Sequence, residues 1–164
     1  MIKPNAPAGE VVAALDLAPH PEGGWFRRMW TAKTPLTTEE LTAGQPAHSS
    51  RGAASAILYL LESGHGSAWH RLHSSEELWL WRAGAPLLLH TGGFGAAPAP
   101  EQVARVDGSA TGLPGQLIAK KQWQRATVAT PGWSLVTCVV CPEFEFTDFE
   151  LAGTDRVGNR NLAH

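Results

Sequence analysis

Residues 55–84, SAILYLLESGHGSAWHRLHSSEELWLWRAG, decide the fold of this chain. The first seven residues are apolar or aromatic apart from one Ser, which predicts a buried strand, and the glycines at 64 and 66 mark a turn. A second strand is predicted around Trp69-His70-Arg71. After a polar turn at 74–75, a third strand is predicted over 77–82, and it ends at Gly84.

The alternation of side chains along these strands predicts a pocket. Successive residues of a strand point to opposite faces, so Glu77, Trp79 and Trp81 share one face. If the strands close into a barrel, His70 on the neighbouring strand can join this face, and the alternation around Tyr59 permits the same. A carboxylate, an imidazole and indole walls together favour a small-molecule pocket.

The rest of the chain predicts one short helix and many short strands. Val11, Val12 and Leu15 fall at helical spacing and predict an amphipathic helix over residues 8–16. The strict alternation over 144–149 predicts a half-buried edge strand. Further strands, separated by Gly-rich and Pro-rich turns, are predicted over 25–32, 86–91, 103–106, 116–120, 123–128 and 134–140. This pattern predicts an all-β sandwich or barrel.

Composition excludes several classes of protein. The 164 residues suit one domain, and 43% hydrophobic residues suffice for a core. The formal net charge of −2 argues against a nucleic-acid surface or a polybasic membrane patch, and no apolar run reaches the length of a bilayer span. Cys138 and Cys141 are predicted to be buried, inert thiols on opposite faces of a strand, and a cytoplasmic location is expected.

The spacing of Gly64, His70, Leu72, Glu77 and Gly84 resembles the first cupin motif, with Leu72 in place of its second histidine. More narrowly, the chain is similar to the DUF985 cupin family of predicted sugar epimerases, and the resemblance covers residues 10–151. The stretches that carry it are 20–24 (HPEGG), 67–71 (SAWHR), 77–84, 123–124 (WQ), 132–136 and 142–149. This resemblance implies a single-domain cupin jelly roll, the double-stranded β-helix, over 1–164, and a homodimer. The residues 152–164 are rich in Gly, Asn, Arg and Asp and are predicted to be a flexible tail.

The resemblance also implies roles for individual residues. It places the turn at Glu22 near the pocket mouth, as a candidate for substrate binding, and it aligns Gln124 with the last histidine of the cupin metal site. Any metal site here would therefore consist of His70, Glu77 and Gln124. An amide oxygen is a poor ligand for zinc or iron, so we expect no cofactor, with a weakly bound divalent metal as the alternative.

Function is predicted from the pair His70 and Glu77. A carboxylate beside a histidine raises the pKa of the imidazole and fixes its tautomer, which suits proton transfer. His70 would serve one face of the substrate carbon and Tyr59 the other, while Glu22, Trp79, Trp81 and Gln124 would bind the substrate. The first hypothesis is a metal-independent isomerase or epimerase that acts on a sugar derivative. The alternatives are a non-catalytic binding or sensing module, a metal-dependent enzyme with a reduced ligand set, and a His70–Glu77 bond that is only structural.

Three other features complete the expectations. Residues 34–51 form a long segment with little periodicity, which we expect over the pocket or a dimer surface. Arg51 resembles a basic position of the family and is predicted either to lie at the surface or to contact an anion. His73 is predicted to be a loop histidine that faces away from His70.

Overall fold

The computed structural model describes residues 6–36, 51–99 and 102–153. The predicted 34–51 segment and the predicted tail at 152–164 therefore lie largely outside the described residues. Helix α1 spans Ala8–Ala14. The strands are β1 Ala18–Pro19, β2 Trp25–Thr31, β3 Ser55–Glu62, β4 His70–Leu72, β5 Glu76–Gly84, β6 Leu87–Thr91, β7 Gln102–Val106, β8 Gly115–Ile118, β9 Gln124–Val128, β10 Trp133–Cys141 and β11 Phe149–Leu151.

The strands form two antiparallel sheets, which confirms the predicted all-β jelly roll with one short helix. One sheet has the order β1-β2-β3-β10-β5-β8, and the other has the order β11-β4-β9-β6-β7. The long strand β10 lies at the centre of the first sheet, between β3 and β5. Among the described residues, no helix has the length and apolarity needed to cross a membrane.

The main core lies between the two sheets. Because side chains alternate along a strand, one face of β3 and one face of β5 point toward β6 in the other sheet. The buried side chains that meet there include Tyr59, Leu61, Trp79, Leu87 and Leu89. A second cluster forms where α1 packs on the outer face of the first sheet, with Val11 completely buried against residues of β3 and β10. Two buried residues of the first cluster, Tyr59 and Cys138, also line the candidate site.

The segment 144–149 is not the edge strand that its alternation predicts. A 3₁₀ helix occupies Phe146–Asp148, and the strand β11 begins only at Phe149. The backbone N–H of Asp148 donates to Glu145, and the buried Asp148 carboxylate accepts hydrogen bonds from the backbone N–H and the hydroxyl of Ser74. These bonds turn Asp148 inward, which an edge strand with a solvent-facing Asp148 would not allow.

Arg51 is completely buried, so the prediction of a surface arginine was wrong. Its guanidinium donates to the Glu143 carbonyl oxygen at 2.5 Å and to the hydroxyls of Ser74 and Ser75. It also donates to Asp148 Oδ2 at 3.1 Å. A buried guanidinium is tolerable only when its N–H groups have partners, and Arg51 obtains them by joining three chain segments.

The two cysteines face opposite sides of the end of β10, as predicted, and both are free thiols. Cys138 is buried, whereas Cys141 is exposed, so the prediction of two buried thiols was wrong for Cys141. The reason is that Cys141 ends β10, where its outward face is not covered. Cys138 faces the interior and contributes to the cavity described below.

Candidate functional site

A small cavity opens at one end of the space between the sheets. The part of this cavity that the centre of a water molecule can reach has a volume of about 50 Å³, which is enough for a few waters. Its mouth is aromatic and includes Phe144 and Phe146, of which Phe146 is 57% exposed. The polar groups that line the cavity are His20, Glu22, Arg28, Ser55, Tyr59, His70 and Glu77. An apolar cavity with a few convergent titratable groups is the usual form of a small-molecule site.

The site draws its residues from both sheets. His70 lies on β4, where it pairs with Gln124 of β9, while Tyr59 and Glu77 project from the opposite sheet. Glu22 lies in the turn before β2, where Gly23 and Gly24 have φ of 105° and 72°. A Cβ on Gly24 would lie 2.6 Å from the Leu60 carbonyl oxygen, so only glycine lets this turn approach β3 and place Glu22 in the cavity.

The ring of His70 has a defined tautomer. Its Nδ1 lies 2.9 Å from the carbonyl oxygen of Ala68, and a carbonyl oxygen only accepts, so Nδ1 carries the proton. In the neutral ring Nε2 then has a free lone pair, 4.0 Å from Glu77 Oε2, which is too far for a hydrogen bond. Burial lowers the pKa of His70, which Glu77 opposes, and the ring is held as a neutral base.

Two buried carboxyl groups flank this imidazole. Glu22 Oε2 lies 3.3 Å from His70 Nδ1, on the side opposite Glu77. Burial raises the pKa of Glu22 to about 8, so at neutral pH this carboxyl keeps its proton. Burial likewise raises the pKa of Glu77 to about 7, while His70 and the Gln124 amide act in the opposite direction. The cavity therefore holds exchangeable protons at neutral pH.

Tyr59 reaches the same cluster from β3. Its hydroxyl donates to the Gly23 carbonyl oxygen at 2.7 Å and also makes a hydrogen bond with the Glu22 side chain. Burial raises the pKa of Tyr59 well above its usual value, and the neighbouring Glu22 adds to this effect. Loss of the phenol proton is therefore costly, and the hydroxyl holds Glu22 in place.

Gln124 connects the cluster to the core. Trp79 Nε1 donates to Gln124 Oε1 at 2.8 Å, and Gln124 Nε2 donates to Glu77 Oε2 at 2.6 Å. An indole N–H only donates, so this bond fixes the amide with its oxygen toward Trp79 and its NH₂ toward Glu77. Because Gln124 Nε2 donates to Glu77 Oε2, the other carboxyl oxygen, Oε1, remains for other partners.

These residues do not fit the metal that cupins commonly bind. At the position of the last histidine ligand, Gln124 presents an NH₂ group to Glu77, and this nitrogen has no lone pair for a metal. Leu72 lines the cavity where the motif has its second histidine. Within the described ranges, no group of three His, Cys, Asp or Glu side chains is arranged to hold a metal ion.

The structure brings only some of the predicted substrate-binding residues to the cavity. Glu22 lines it, but Trp79, Trp81 and Gln124 are not among the lining side chains. Trp79 fills the core behind the site, and Trp81 Nε1 donates to the Ala85 carbonyl oxygen away from it. Direct contact of these three residues with a substrate stays a prediction, whereas their packing and hydrogen bonds are observed.

Two histidines outside the predicted set have different positions. His73 follows β4, and its Nε2 lies 2.5 Å from Glu150 Oε2, outside the cavity. This agrees with the prediction that His73 faces away from His70. His20 was missed as a site residue, although it begins the quoted HPEGG stretch. Its ring lines the cavity, and burial lowers its pKa to about 4. The signal that was available was its place two residues before Glu22.

Comparisons with known proteins agree with this geometry. The family model described as Cupin superfamily (DUF985) matches residues 9–152. Protein SO0799 from Shewanella oneidensis has a similar structure, with a TM-score of 0.73 and 30% identity over 89% of this chain and 84% of that one. For a hypothetical protein from Leishmania major, the TM-score is 0.72 and the identity 28%, over 88% and 86% of the two chains.

A more distant likeness extends to a larger protein. The capsular polysaccharide assembling protein CapF from Staphylococcus aureus matches with a TM-score of 0.56 and 11% identity, over 84% of this chain and 34% of CapF. At this identity the likeness shows the fold alone. A search of curated proteins gives no match. The family match over nearly the whole described chain, together with the jelly roll and its cavity, places this protein in the DUF985 family of the cupin superfamily.

Proposed function

We propose that this protein is a metal-independent isomerase or epimerase that moves a proton at a carbon atom next to a carbonyl group of a sugar derivative. The observation that carries the proposal is the free Nε2 lone pair of neutral His70, inside a cavity where Glu22 keeps its proton at neutral pH and Glu77 is partly ionised. The sugar class is supported by the family resemblance alone.

In the proposed reaction, His70 Nε2 removes the proton from carbon. The resulting imidazolium is stabilised by Glu77, whose Oε2 is 4.0 Å from Nε2. Glu22, protonated at neutral pH and bonded to the Tyr59 hydroxyl, lies at the opposite ring nitrogen, Nδ1, where it positions the imidazole, and the proton returns to carbon from the imidazolium of His70. Tyr59 itself donates to Gly23, so we assign it positioning in place of the predicted direct proton donation.

The size of the cavity sets a condition on binding. Space for a few waters does not accommodate a sugar ring, so the aromatic mouth must move outward when substrate enters. Phe146 is the residue whose displacement costs least, because more than half of its surface is already exposed. Arg28 lies at this mouth, paired with Glu143 at 2.8 Å.

The first prediction concerns solvent deuterium. The purified protein is incubated in D₂O with a panel of keto sugars and sugar nucleotides, and proton NMR follows loss of a carbon-bound hydrogen. We expect exchange with at least one compound and a loss of about 10²-fold or more in His70→Gln, because a general base contributes on this scale. The matched control is His65→Gln, an exposed histidine in the turn after β3, whose exchange rate should equal that of the unmodified protein.

The same experiment separates the alternatives. Saturable thermal stabilisation by a compound that shows no exchange would leave only the binding or sensing function. Exchange that disappears after treatment with a chelator and returns with a divalent metal would contradict the metal-independent mechanism. Undiminished exchange in His70→Gln would exclude His70 as the base. The homodimer, the cytoplasmic location and the sugar ligand remain predictions.

A further inference from the structure

Two buried imidazoles in the cavity carry their protons on opposite ring atoms. The backbone N–H of Glu22 donates to Nδ1 of His20 at 3.3 Å, and because an N–H only donates, Nδ1 is unprotonated. The neutral His20 ring therefore has its proton on Nε2. His70 is the reverse, with its proton on Nδ1 facing Ala68 and a bare Nε2. One ring offers a donor and the other an acceptor.

The two rings are near neighbours. Both Nδ1 atoms approach the same oxygen, Glu22 Oε2, at 3.8 Å for His20 and 3.3 Å for His70. Both rings also pack on Phe149, with centroid distances of 6.3 Å and 5.5 Å. The His20 ring is further fixed by edge contacts with Phe26 at 4.6 Å and Tyr59 at 5.5 Å.

His20 Nε2 makes no hydrogen bond with residues 6–36, 51–99 and 102–153, and it is not one of the fully buried atoms without a partner there, so it keeps access to solvent although the side chain is only 6% exposed. An N–H that reaches only the solvent of a small cavity can exchange its water for the acceptor atom of a ligand. Because the ring lines the cavity, a ligand there can accept this hydrogen bond in place of water.

We propose that His20 is the carbonyl-binding group of the site, with its Nε2–H donating to the carbonyl oxygen of a small ketone or aldehyde whose adjacent carbon loses its proton to His70. This proposal rests on the proposed function and specifies the substrate class as carbonyl compounds with a hydrogen on the neighbouring carbon. The carbonyl subsite is then His20, and the proton acceptor is His70.

The electron flow balances with these two groups. The lone pair of His70 Nε2 takes the proton, the C–H electron pair forms a C=C bond, and the C=O π pair moves to oxygen. The enolate oxygen is stabilised by the hydrogen bond from His20, which keeps its own proton. Since the His20 ring stays neutral over the working pH range, it acts as a fixed donor and does not compete as an acid.

The tautomers are tested without any ligand. Long-range ¹H–¹⁵N correlation spectra of the full chain at pH 7 distinguish the protonated from the bare nitrogen of each histidine, with assignments from His20→Gln and His70→Gln. We expect Nε2–H for His20 and Nδ1–H for His70. A proton on Nδ1 of His20, or a doubly protonated ring, would overturn the proposal.

Carbonyl binding is tested with hydroxyacetone labelled with ¹³C at its carbonyl, the smallest probe of this class. A hydrogen bond to the oxygen moves the carbonyl resonance downfield, so we expect a saturable downfield shift with the unmodified protein. His20→Phe, which keeps the aromatic contacts, should abolish the shift, and His20→Gln, whose amide N–H lies near the Nε2 position, should restore part of it. The shift should persist in His65→Gln.

The results distinguish this inference from the proposed function. A saturable shift without deuterium exchange in any compound would reject proton transfer and leave the carbonyl subsite standing. No saturable shift, or an equal shift in His20→Phe, would overturn the subsite, as would exchange in His20→Phe equal to that of the unmodified protein. We expect exchange in His20→Phe to fall about 10²-fold, as when one oxyanion donor is removed. If His20→Phe is misfolded by circular dichroism, His20→Gln and the tautomer spectra decide.

Discussion

Glu22 has a carboxyl group that is more costly to ionise in the folded protein than in the unfolded chain. Its pKa rises from 4.5 to about 8 on folding, so over this range the folded state binds more protons than the unfolded state. The free energy of unfolding must then fall as pH rises between these values, by up to about 1.4 kcal/mol per pH unit for one group. Glu77 adds to the fall up to about pH 7.

Glu22→Gln should flatten this decline, because the amide does not titrate. Urea unfolding between pH 6.5 and 8.5 measures the slope, and this window lies above the range in which protonation of His20 destabilises the fold. The matched control is Glu10→Gln in α1, which should keep the slope of the unmodified protein. Equal slopes for Glu22→Gln and the unmodified protein would show that Glu22 is ionised in the folded state throughout.

Arg51 joins three parts of the chain by its charge and hydrogen bonds. Arg51→Met should lower the free energy of unfolding by about 3–5 kcal/mol, since it leaves the buried Asp148 carboxylate without its cation. Chemical denaturation measures the loss, and the exposed Arg82→Met is the control. Adding Asp148→Asn to Arg51→Met should recover part of the stability. If the double variant is no more stable than Arg51→Met, the ion pair is not the main contribution.

At the scale of elements, two glycines should respond to alanine in opposite directions. Gly84 ends β5 with φ of 88°, and a Cβ there would lie 2.7 Å from the Trp133 ring, so Gly84→Ala should cost about 1–3 kcal/mol or more. Gly9 lies in α1 with open space around it, and Gly9→Ala should stabilise by about 0.5–1 kcal/mol. Thermal unfolding of both variants provides the check. A loss of stability in Gly9→Ala would mean that α1 is packed more tightly than the structure shows.

The spacing of apolar residues predicts a strand or a helix correctly where one face of that strand or helix is buried. The alternation of Glu77 and Trp79 correctly places both on the inner face of β5, and the helical spacing of Val11 correctly predicts α1. The alternation over 144–149 misleads, because Phe146 and Phe149 are also three residues apart, and three residues is the repeat of a 3₁₀ turn. The rings of Phe144, Phe146 and Phe149 form an aromatic cluster there, with edge contacts at 5.0 Å between Phe144 and Phe146 and at 6.3 Å between Phe146 and Phe149.

At the scale of the whole molecule, the site depends on pairings between distant segments. Burial of Arg51 depends on Glu143 and Asp148, more than 90 residues away, and local composition contains no sign of them. The neutral tautomer of His20 depends on a turn that brings one backbone N–H to its ring. The cupin resemblance predicts where His70, Glu77 and Gln124 meet, but not that the Gln124 amide turns its nitrogen toward Glu77.

The pairing of β11 with β4 has a consequence for synthesis of the protein. Leu151 pairs with His70, and Phe149 packs on the His70 ring, so one wall of the cavity comes from the last strand described. A chain still emerging from the ribosome contains all the titratable groups of the site long before it contains this wall. Until residue 151 has left the exit tunnel, His70 lacks both the strand that pairs with β4 on this side and the ring of Phe149. The cavity with its complete wall can therefore form only after β11 has been synthesised.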